Sequence, residues 1–346
     1  MKKNTYISEK IFLKEKKFFI LNTFILVGHK CEFEKKGDYK TINFFEKSIA
    51  IYNFKEKISA FTNECAHRGC KIFNKNKGNS PFVCPYHAWS YDCSGRVKNI
   101  PLEKKAFNIN KNKIRLEEWD LDFCGDFIFL KSKKNKINLE SFLGEEFDNL
   151  YQISKKIDKC IDYQIYNWEA NWKICVENSI DEYHAIYLHK TTFKNVLKLD
   201  PQYRIKNNVM KMTMPLSQKY VDKFKKINHY FSDLNELYMH TLLFPYSSIS
   251  TTMGNSYYIQ NYLPKNNHST NVTSTIYLPN SKLSKNPSIE KFFSDTCIKF
   301  NIEIFNEDRD ICESVYSNFK NKNSREDIVG NLEYRINSFR EKLYKI

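Results

Sequence analysis

Two short segments limit what this chain can fold into more than anything else in it. The first reads Cys65-Ala66-His67-Arg68-Gly69-Cys70 and the second Cys84-Pro85-Tyr86-His87-Ala88-Trp89. Each supplies one thiol and one imidazole, and the stretch between them can form a hairpin. Two Cys–His pairs on two neighbouring loops read as a metal site, so the fold must bring those loops together. Tetrahedral zinc suits such a set, and so does a [2Fe-2S] cluster with two thiolates on one iron and two imidazoles on the other. The single residue between Cys65 and His67 is tighter than the spacing of about two to four residues usual between zinc ligands. Gly69, Gly78, Pro85 and Gly95 supply turns that bring backbone N–H groups toward cluster sulfurs. Both features favour the iron–sulfur cluster.

A second constellation begins at Asn171. Trp172, Val176 and Ile180 recur at helical spacing, which predicts a helix with a buried stripe. Asp181 and His184 are placed to share a face of it. His189 would lie roughly 140° round from His184 on a regular helix. Both can hold one metal only if the helix ends or bulges between them, and Lys190-Thr191-Thr192 offers an ending. Alone, two histidines at this spacing are more often satisfied core or surface residues. Further on, Asn306-Glu307-Asp308-Arg309-Asp310 is an acidic stretch. Its bland reading, a helix start that satisfies the helix dipole, covers Glu307 and Asp310.

The rest of the chain sets bounds. Its 346 residues suffice for about two domains, and 41% hydrophobic with 15% aromatic residues reads as globular. The net charge of +15 comes almost wholly from dispersed Lys, with Arg scarce, which reads as a solvated surface and not as a nucleic-acid site. The apolar run Phe18 to Val27 is interrupted by Asn22 and Thr23 and lacks a small-residue cleavage site. It is too short to span a bilayer, and its composition predicts a buried strand. The expectation is a cytoplasmic protein with no membrane partner. Ten Cys without a secretion signal argue for thiols and metal ligands over disulfides. Cys31, Cys124, Cys160, Cys175, Cys297 and Cys312 each read as buried small hydrophobes.

The text around the first constellation resembles the Rieske domain of ring-hydroxylating oxygenases. Phe61-Thr62-Asn63-Glu64 leads into Cys-Ala-His-Arg-Gly, and Cys-Pro-Tyr-His-Ala-Trp-Ser-Tyr is followed by Gly95-Arg96. The resemblance implies one [2Fe-2S] cluster held by Cys65, His67, Cys84 and His87. Respiratory Rieske proteins bridge a Cys at position 70 to one just after the next ligand. That position is Tyr86 here, and Cys93 is an uncertain substitute, so the likeness is to the oxygenase branch and Cys70 reads as a packed thiol.

The second constellation resembles the iron-binding segment of the same family, from Asn171-Trp172-Lys173 through Glu177-Asn178 to Asp181, His184 and His189. It implies that His184 and His189 are two members of a two-His, one-carboxylate triad on Fe(II), one iron per subunit. The third ligand is implied to be Asp308, with Asp310 as the runner-up, and Asn178 stands in a supporting position. Asp181 is implied to join His184 to His67 or His87 of a neighbouring subunit. The alternative for Asp181 is a buried helix carboxylate paired with Arg or Lys.

Together these imply an α+β chain. Residues 1–21 form an N-terminal segment and 22–132 a small antiparallel β domain for the cluster, with turns at Gly37-Asp38, Lys55 to Lys57 and Gly95. Residues 133–159 form a linker, and 160–346 a helix-grip (START-like) catalytic domain. Candidate strands lie near 240–262 and 271–278, and a helix near 288–318. The implied function is that of the terminal component of a Rieske oxygenase. It would use O2 to hydroxylate, dihydroxylate or oxidatively demethylate a small organic substrate. Electrons would come from an NAD(P)H-dependent reductase or ferredoxin, because no Gly-rich nucleotide motif is present. Electron transfer between subunits implies a homotrimer. The rivals are a Rieske electron-transfer protein without oxygenase chemistry and a metal-free helix-grip binding module.

Overall fold

Short apolar runs between Ile25 and Ser132, bounded by Gly, Asn and Lys, pair as antiparallel strands in the computed structural model. The structure describes residues 2–232, 234–321 and 327–346. The strands are β1 (Ile25–His29), β2 (Asp38–Phe44), β3 (Lys47–Asn53), β4 (Ile58–Thr62), β5 (Lys77–Asn79), β6 (Ser90–Tyr91), β7 (Val97–Asn99), β8 (Glu118–Cys124) and β9 (Phe127–Ser132). Seven of them form one sheet in the order β1-β9-β8-β4-β3-β2-β5, and β6 pairs with β7. Gly95 turns the β6–β7 hairpin at φ +74°. A Cβ there would sit 2.6 Å from the Phe61 ring, so both the turn and the close approach require glycine.

A second seven-stranded antiparallel sheet follows. Its strands are β10 (Ile157–Trp168), β11 (Gln202–Lys206), β12 (Val209–Pro215), β13 (Leu237–Leu243), β14 (Ser247–Thr252), β15 (Tyr257–Asn266) and β16 (Ser269–Pro279). They run in the order β10-β16-β15-β14-β13-β12-β11. The helices are α1 (Asn4–Ile7), α2 (Glu9–Asn22), α3 (Glu103–Ala106), α4 (Leu139–Leu143), α5 (Glu146–Lys156), α6 (Trp172–Ser179), α7 (Ala185–Leu188), α8 (Gln218–Phe224), α9 (Pro287–Phe319) and α10 (Tyr334–Tyr344). Helix α9 starts with Pro287 in its first turn, behind Asn286, whose side chain accepts from the Ile289 N–H. Its buried stripe is Cys297, Asn301, Phe305, Asp308, Cys312 and Tyr316, spaced by three or four, so one face packs inward against α6 and β10. That stripe places a carboxylate inside the protein. No described helix is long and apolar enough to cross a membrane.

The structure corrects two expectations. The run Phe18 to Val27 is not one strand: α2 continues to Asn22, is capped by Thr23, and β1 begins at Ile25. Phe19 explains why, since on the helix it packs edge-on to Trp172 and Tyr246 at 5.4 Å each. Burying such a side chain contributes about 1.5–3 kcal/mol, which local strand preference does not match. Residues 133–159, expected as a linker, carry α4 and α5 and the start of β10. Asn135 within that segment is buried: it donates to the Thr23 carbonyl and accepts from the Ile137 N–H.

A buried charge network joins the two sheets. Glu32 accepts from Lys40 at 2.9 Å, from Lys77 at 3.1 Å and from the Tyr277 hydroxyl of β16 at 2.6 Å. Burial pushes the Glu32 carboxyl up, but Lys40, Lys77 and the Tyr277 hydrogen bond outweigh it and hold it at about 2. A carboxyl depressed from 4.5 adds stability that is complete above pH 4.5 and is lost as pH falls toward 2. Glu32→Gln leaves Lys40 buried without its counter-charge and is expected to cost about 3–5 kcal/mol at pH 7. It should also flatten the acid limb of stability. Denaturant midpoints measured across pH check both, and an unchanged midpoint at pH 7 contradicts the assignment.

Candidate metal centres and cavity

The segment that was expected to be one helix is two. Asn171 caps α6 by accepting from the Lys173 N–H, and the helix ends at Ser179, before Asp181. Its back is fixed by buried ion pairs. Lys173 meets both oxygens of Glu15 at 2.8 Å, and Glu177 receives Arg340 at 2.8 and 2.9 Å and the Tyr6 hydroxyl at 2.7 Å. Asp181 then starts a new turn, its Oδ1 accepting from the N–H groups of Tyr183 and His184 at 2.8 and 3.2 Å. The single-turn helix α7 follows and stops at Leu188, so His184 and His189 flank it and their rings converge at 5.1 Å.

Asp308 enters from the buried face of α9. His184 Nε2, His189 Nε2 and Asp308 Oδ1 lie 3.2, 3.3 and 3.5 Å from one another. Ligand atoms at about 2.1 Å from a metal and at right angles to each other lie about 3.0 Å apart, so these atoms fit three neighbouring corners of an octahedron. The protein alone leaves the arrangement unsatisfied, because Asp308 Oδ1 is buried without a hydrogen-bond donor. A cation among the three atoms resolves both that vacancy of partners and the face-to-face nitrogens. Burial disfavours charge on His184, but Asp181 and Asp308 outweigh it and raise its pKa to about 10. Burial likewise pushes Asp308 up, and the two histidines more than offset this and hold it well below the usual carboxylate range.

Of the outer nitrogens, His189 Nδ1 lies 2.7 Å from Glu307 Oε2, whereas His184 Nδ1 is buried without a hydrogen-bond partner, with Asp181 Oδ2 standing 3.5 Å away. Glu307 therefore departs from the helix-dipole reading: it is one residue from Asp308 and reaches the back of His189. The signal for it was available in the adjacency to a candidate ligand, but a run of acids hides which member turns inward. Asp310 is exposed and pairs with Arg309 at 3.1 Å, away from the triad. Asn178 lines the cavity beside the triad without a hydrogen bond to it among the described residues. That cavity opens to solvent, and His184, His189 and Asp308 all border it.

The first constellation forms a separate centre. Cys65 and His67 follow β4, and Cys84 and His87 precede β6. Each loop closes on its own backbone: the Gly69 N–H donates to Cys65 and the Ala88 N–H to Cys84. The two cysteines are buried, whereas His67 is half-buried and His87 exposed, with the imidazole rings 4.6 Å apart. Thiols inside and imidazoles at the rim fit the two-Cys, two-His ligand set of a [2Fe-2S] cluster. Trp89 stacks on His67 at 4.8 Å, and the Tyr91 hydroxyl lies 3.1 Å from Cys65 Sγ. Sequence reasoning missed Tyr91. Cys70 is half-buried and carries no disulfide.

Fold and sites together define an iron–sulfur protein with a second, mononuclear centre at a cavity. A family described as Rieske [2Fe-2S] domain matches residues 23–118, and one described as ring hydroxylating alpha subunit (catalytic domain) matches residues 152–346. The second match covers more than half of the chain, which belongs to the ring-hydroxylating alpha subunit family; its members bind a Rieske cluster and mononuclear iron. Among relatives, the benzene 1,2-dioxygenase alpha subunit of Pseudomonas putida is 29% identical over 189 residues, 52% of this chain and 42% of that protein. The glycine betaine monooxygenase oxygenase subunit of Pseudomonas aeruginosa is 26% identical over 199 residues, 56% of this chain and 46% of its own length. The chain thus matches less than half the length of these relatives. The fold is also that of the quaternary ammonium Rieske monooxygenase CntA, with TM-score 0.83, 20% identity, and coverage of 100% of this chain and 94% of that one. Naphthalene 1,2-dioxygenase from Rhodococcus gives TM-score 0.74 at 17% identity, over 92% and 82% of the two chains.

Three substitutions separate the acidic residues of α9. Asp308→Ala is expected to lose the mononuclear iron and keep the Rieske EPR signal. Glu307→Ala is expected to weaken iron binding about 10–100-fold, because His189 loses the group that orients it. Asp310→Ala should retain its iron. Iron analysis beside EPR checks all three, and iron loss in Asp310→Ala with retention in Asp308→Ala reverses the assignment.

Proposed function

We propose that this chain is the terminal component of a Rieske oxygenase. It would use O2 and electrons from an NAD(P)H-dependent reductase or a ferredoxin to hydroxylate, dihydroxylate or oxidatively demethylate a small organic substrate. The observation that carries the reading is the convergence of His184 Nε2, His189 Nε2 and Asp308 Oδ1 within 3.5 Å at the edge of a cavity. An electron-transfer protein has no use for that second centre, and neither has a metal-free binding module.

When bound, the mononuclear iron supplies O2 activation and the cluster supplies single electrons. The residues of the chain do the rest. His184, His189 and Asp308 would hold that iron, and all three line the cavity that would take the substrate. Glu307 fixes the ring orientation of His189 from behind, and Asp181 sets the negative charge 3.5 Å behind His184. Phe193, Leu197, Met212 and Met214 give the cavity an apolar wall that holds a carbon skeleton and limits water near the triad.

Asp181 has a second task in this reading. Its side chain is partly exposed, and Tyr183 and Tyr187 beside it are exposed aromatics, as is Tyr86 beside His87. Such surfaces suit an interface between copies of the chain. Asp181 would there accept a hydrogen bond from His67 or His87 of the partner subunit, in a homotrimer. Asp181→Asn keeps the size and changes no metal ligand, so both centres should load normally. Turnover should fall by about 100-fold as the charge-assisted contact between imidazoles is lost. In rapid mixing, the pre-reduced cluster should reoxidise correspondingly more slowly with substrate and O2. Normal reoxidation in a fully metallated Asp181→Asn protein would leave the carboxylate with a structural role only.

A further inference from the structure

The cavity wall opposite α9 carries a histidine that the triad does not use. His240 on β13 is buried, and its Nδ1 lies 2.9 Å from Arg335 Nη1 of α10. A guanidinium only donates, so Nδ1 must be the accepting nitrogen and the ring proton must sit on Nε2. Burial and the neighbouring Arg335 charge push the His240 pKa well below its ordinary value, which keeps the ring neutral in this tautomer. Arg335 is fixed in turn by a buried ion pair with Glu182, whose other oxygen receives the Tyr203 hydroxyl at 3.1 Å. Glu182 adjoins Asp181, so the donor on β13 is tied to the segment that carries His184. His240 Nε2 has no partner among the described residues, and the residue lines the same cavity as the triad.

A second donor faces the same space from α9. Asn301 is buried, its Oδ1 accepts from the Ser274 hydroxyl at 3.1 Å, and its Nδ2 is left without an acceptor. Seven residues before Asp308, it lies on the same helix face about 10 Å along the axis. An unpaired buried donor is costly, and a ligand acceptor relieves the cost. Charge narrows the ligand further. Arg335 is neutralised by Glu182, so among the described residues the cavity holds no uncompensated cation for a carboxylate. Beyond the triad and its carboxylate partners it holds no uncompensated anion for an ammonium group.

We propose that the cavity selects a neutral substrate bearing a carbonyl-type acceptor oxygen, received by His240 Nε2–H with Asn301 Nδ2–H as the second donor. The selection orients the substrate so that a carbon removed from that oxygen lies over the triad. This rests on the oxygenase reading, because it assigns the substrate of that same site.

The test uses the metallated protein and four phenyl probes of similar size: acetophenone, cumene, benzoate and phenyltrimethylammonium. In calorimetry the wild type should bind acetophenone about 10-fold more tightly than cumene, the worth of one well-placed hydrogen bond. His240→Phe should bring the two to parity without weakening cumene, and His240→Gln, which restores an N–H donor, should recover most of the preference. Should His240→Phe fail to fold around Arg335, Asn301→Leu is the second variant, with a partial loss of preference expected. Wild-type protein that binds acetophenone no better than cumene, or binds either ion more tightly, overturns the proposal. O2 uptake by the reduced enzyme with each probe is scored separately. Acetophenone preference with no uptake at all counts against the oxygenase reading and leaves the binding inference standing. Uptake coupled to cumene or to either ion, with no carbonyl preference, does the reverse.

Discussion

Two imidazole nitrogens and a carboxylate oxygen held within 3.5 Å of each other are not a stable arrangement for a protein without a cation. The surrounding structure can be understood as what it takes to impose it. Helix α6 must stop at Ser179 so that Asp181 can start a fresh turn, and α7 must stop after a single turn so that His189 swings back toward His184. Helix α9 must present a carboxylate on its buried stripe. Ion pairs from both α2 and α10 hold α6 against the displacement that the converging polar groups would otherwise favour. Each pair is buried and has both charges satisfied, so its value lies in fixing one geometry as much as in net stability.

The two centres ask different things of their surroundings. The cysteines are enclosed and the histidines of the same set stand at the rim, which places the imidazole side of the set toward the surface. The triad is instead sunk in a cavity, with carboxylates behind each histidine and apolar residues ahead. The Glu32 network couples the sheets that carry these centres, through Lys40 and Lys77 on one side and Tyr277 on the other.

Much of this was legible in the sequence, and the limits follow from range. Cys65, His67, Cys84 and His87 lie close together in the chain, so their spacing carried the site. A helix near 288–318 was expected, and the place of Asp308 on it followed from the family resemblance. What failed was local structure decided at a distance. Phe19 sits in a helix because Trp172 and Tyr246 receive it, and Asn135 is buried because the Thr23 carbonyl needs a donor. Neither partner is near in sequence. Glu307 was misread because a run of acids hides which member turns inward, although its adjacency to Asp308 was a signal. His240 was invisible altogether: a lone histidine on a strand acquires meaning only when Arg335, nearly a hundred residues later, fixes its tautomer.

The central claim is that one chain holds two different iron centres. Quantifying iron and acid-labile sulfide in anaerobically purified protein tests it most directly. The account requires about three irons and two sulfides per chain, with a Rieske-type EPR signal on reduction. Stoichiometric zinc without labile sulfide would contradict it at the cluster, and a full cluster with no third iron even after ferrous reconstitution would contradict it at the triad.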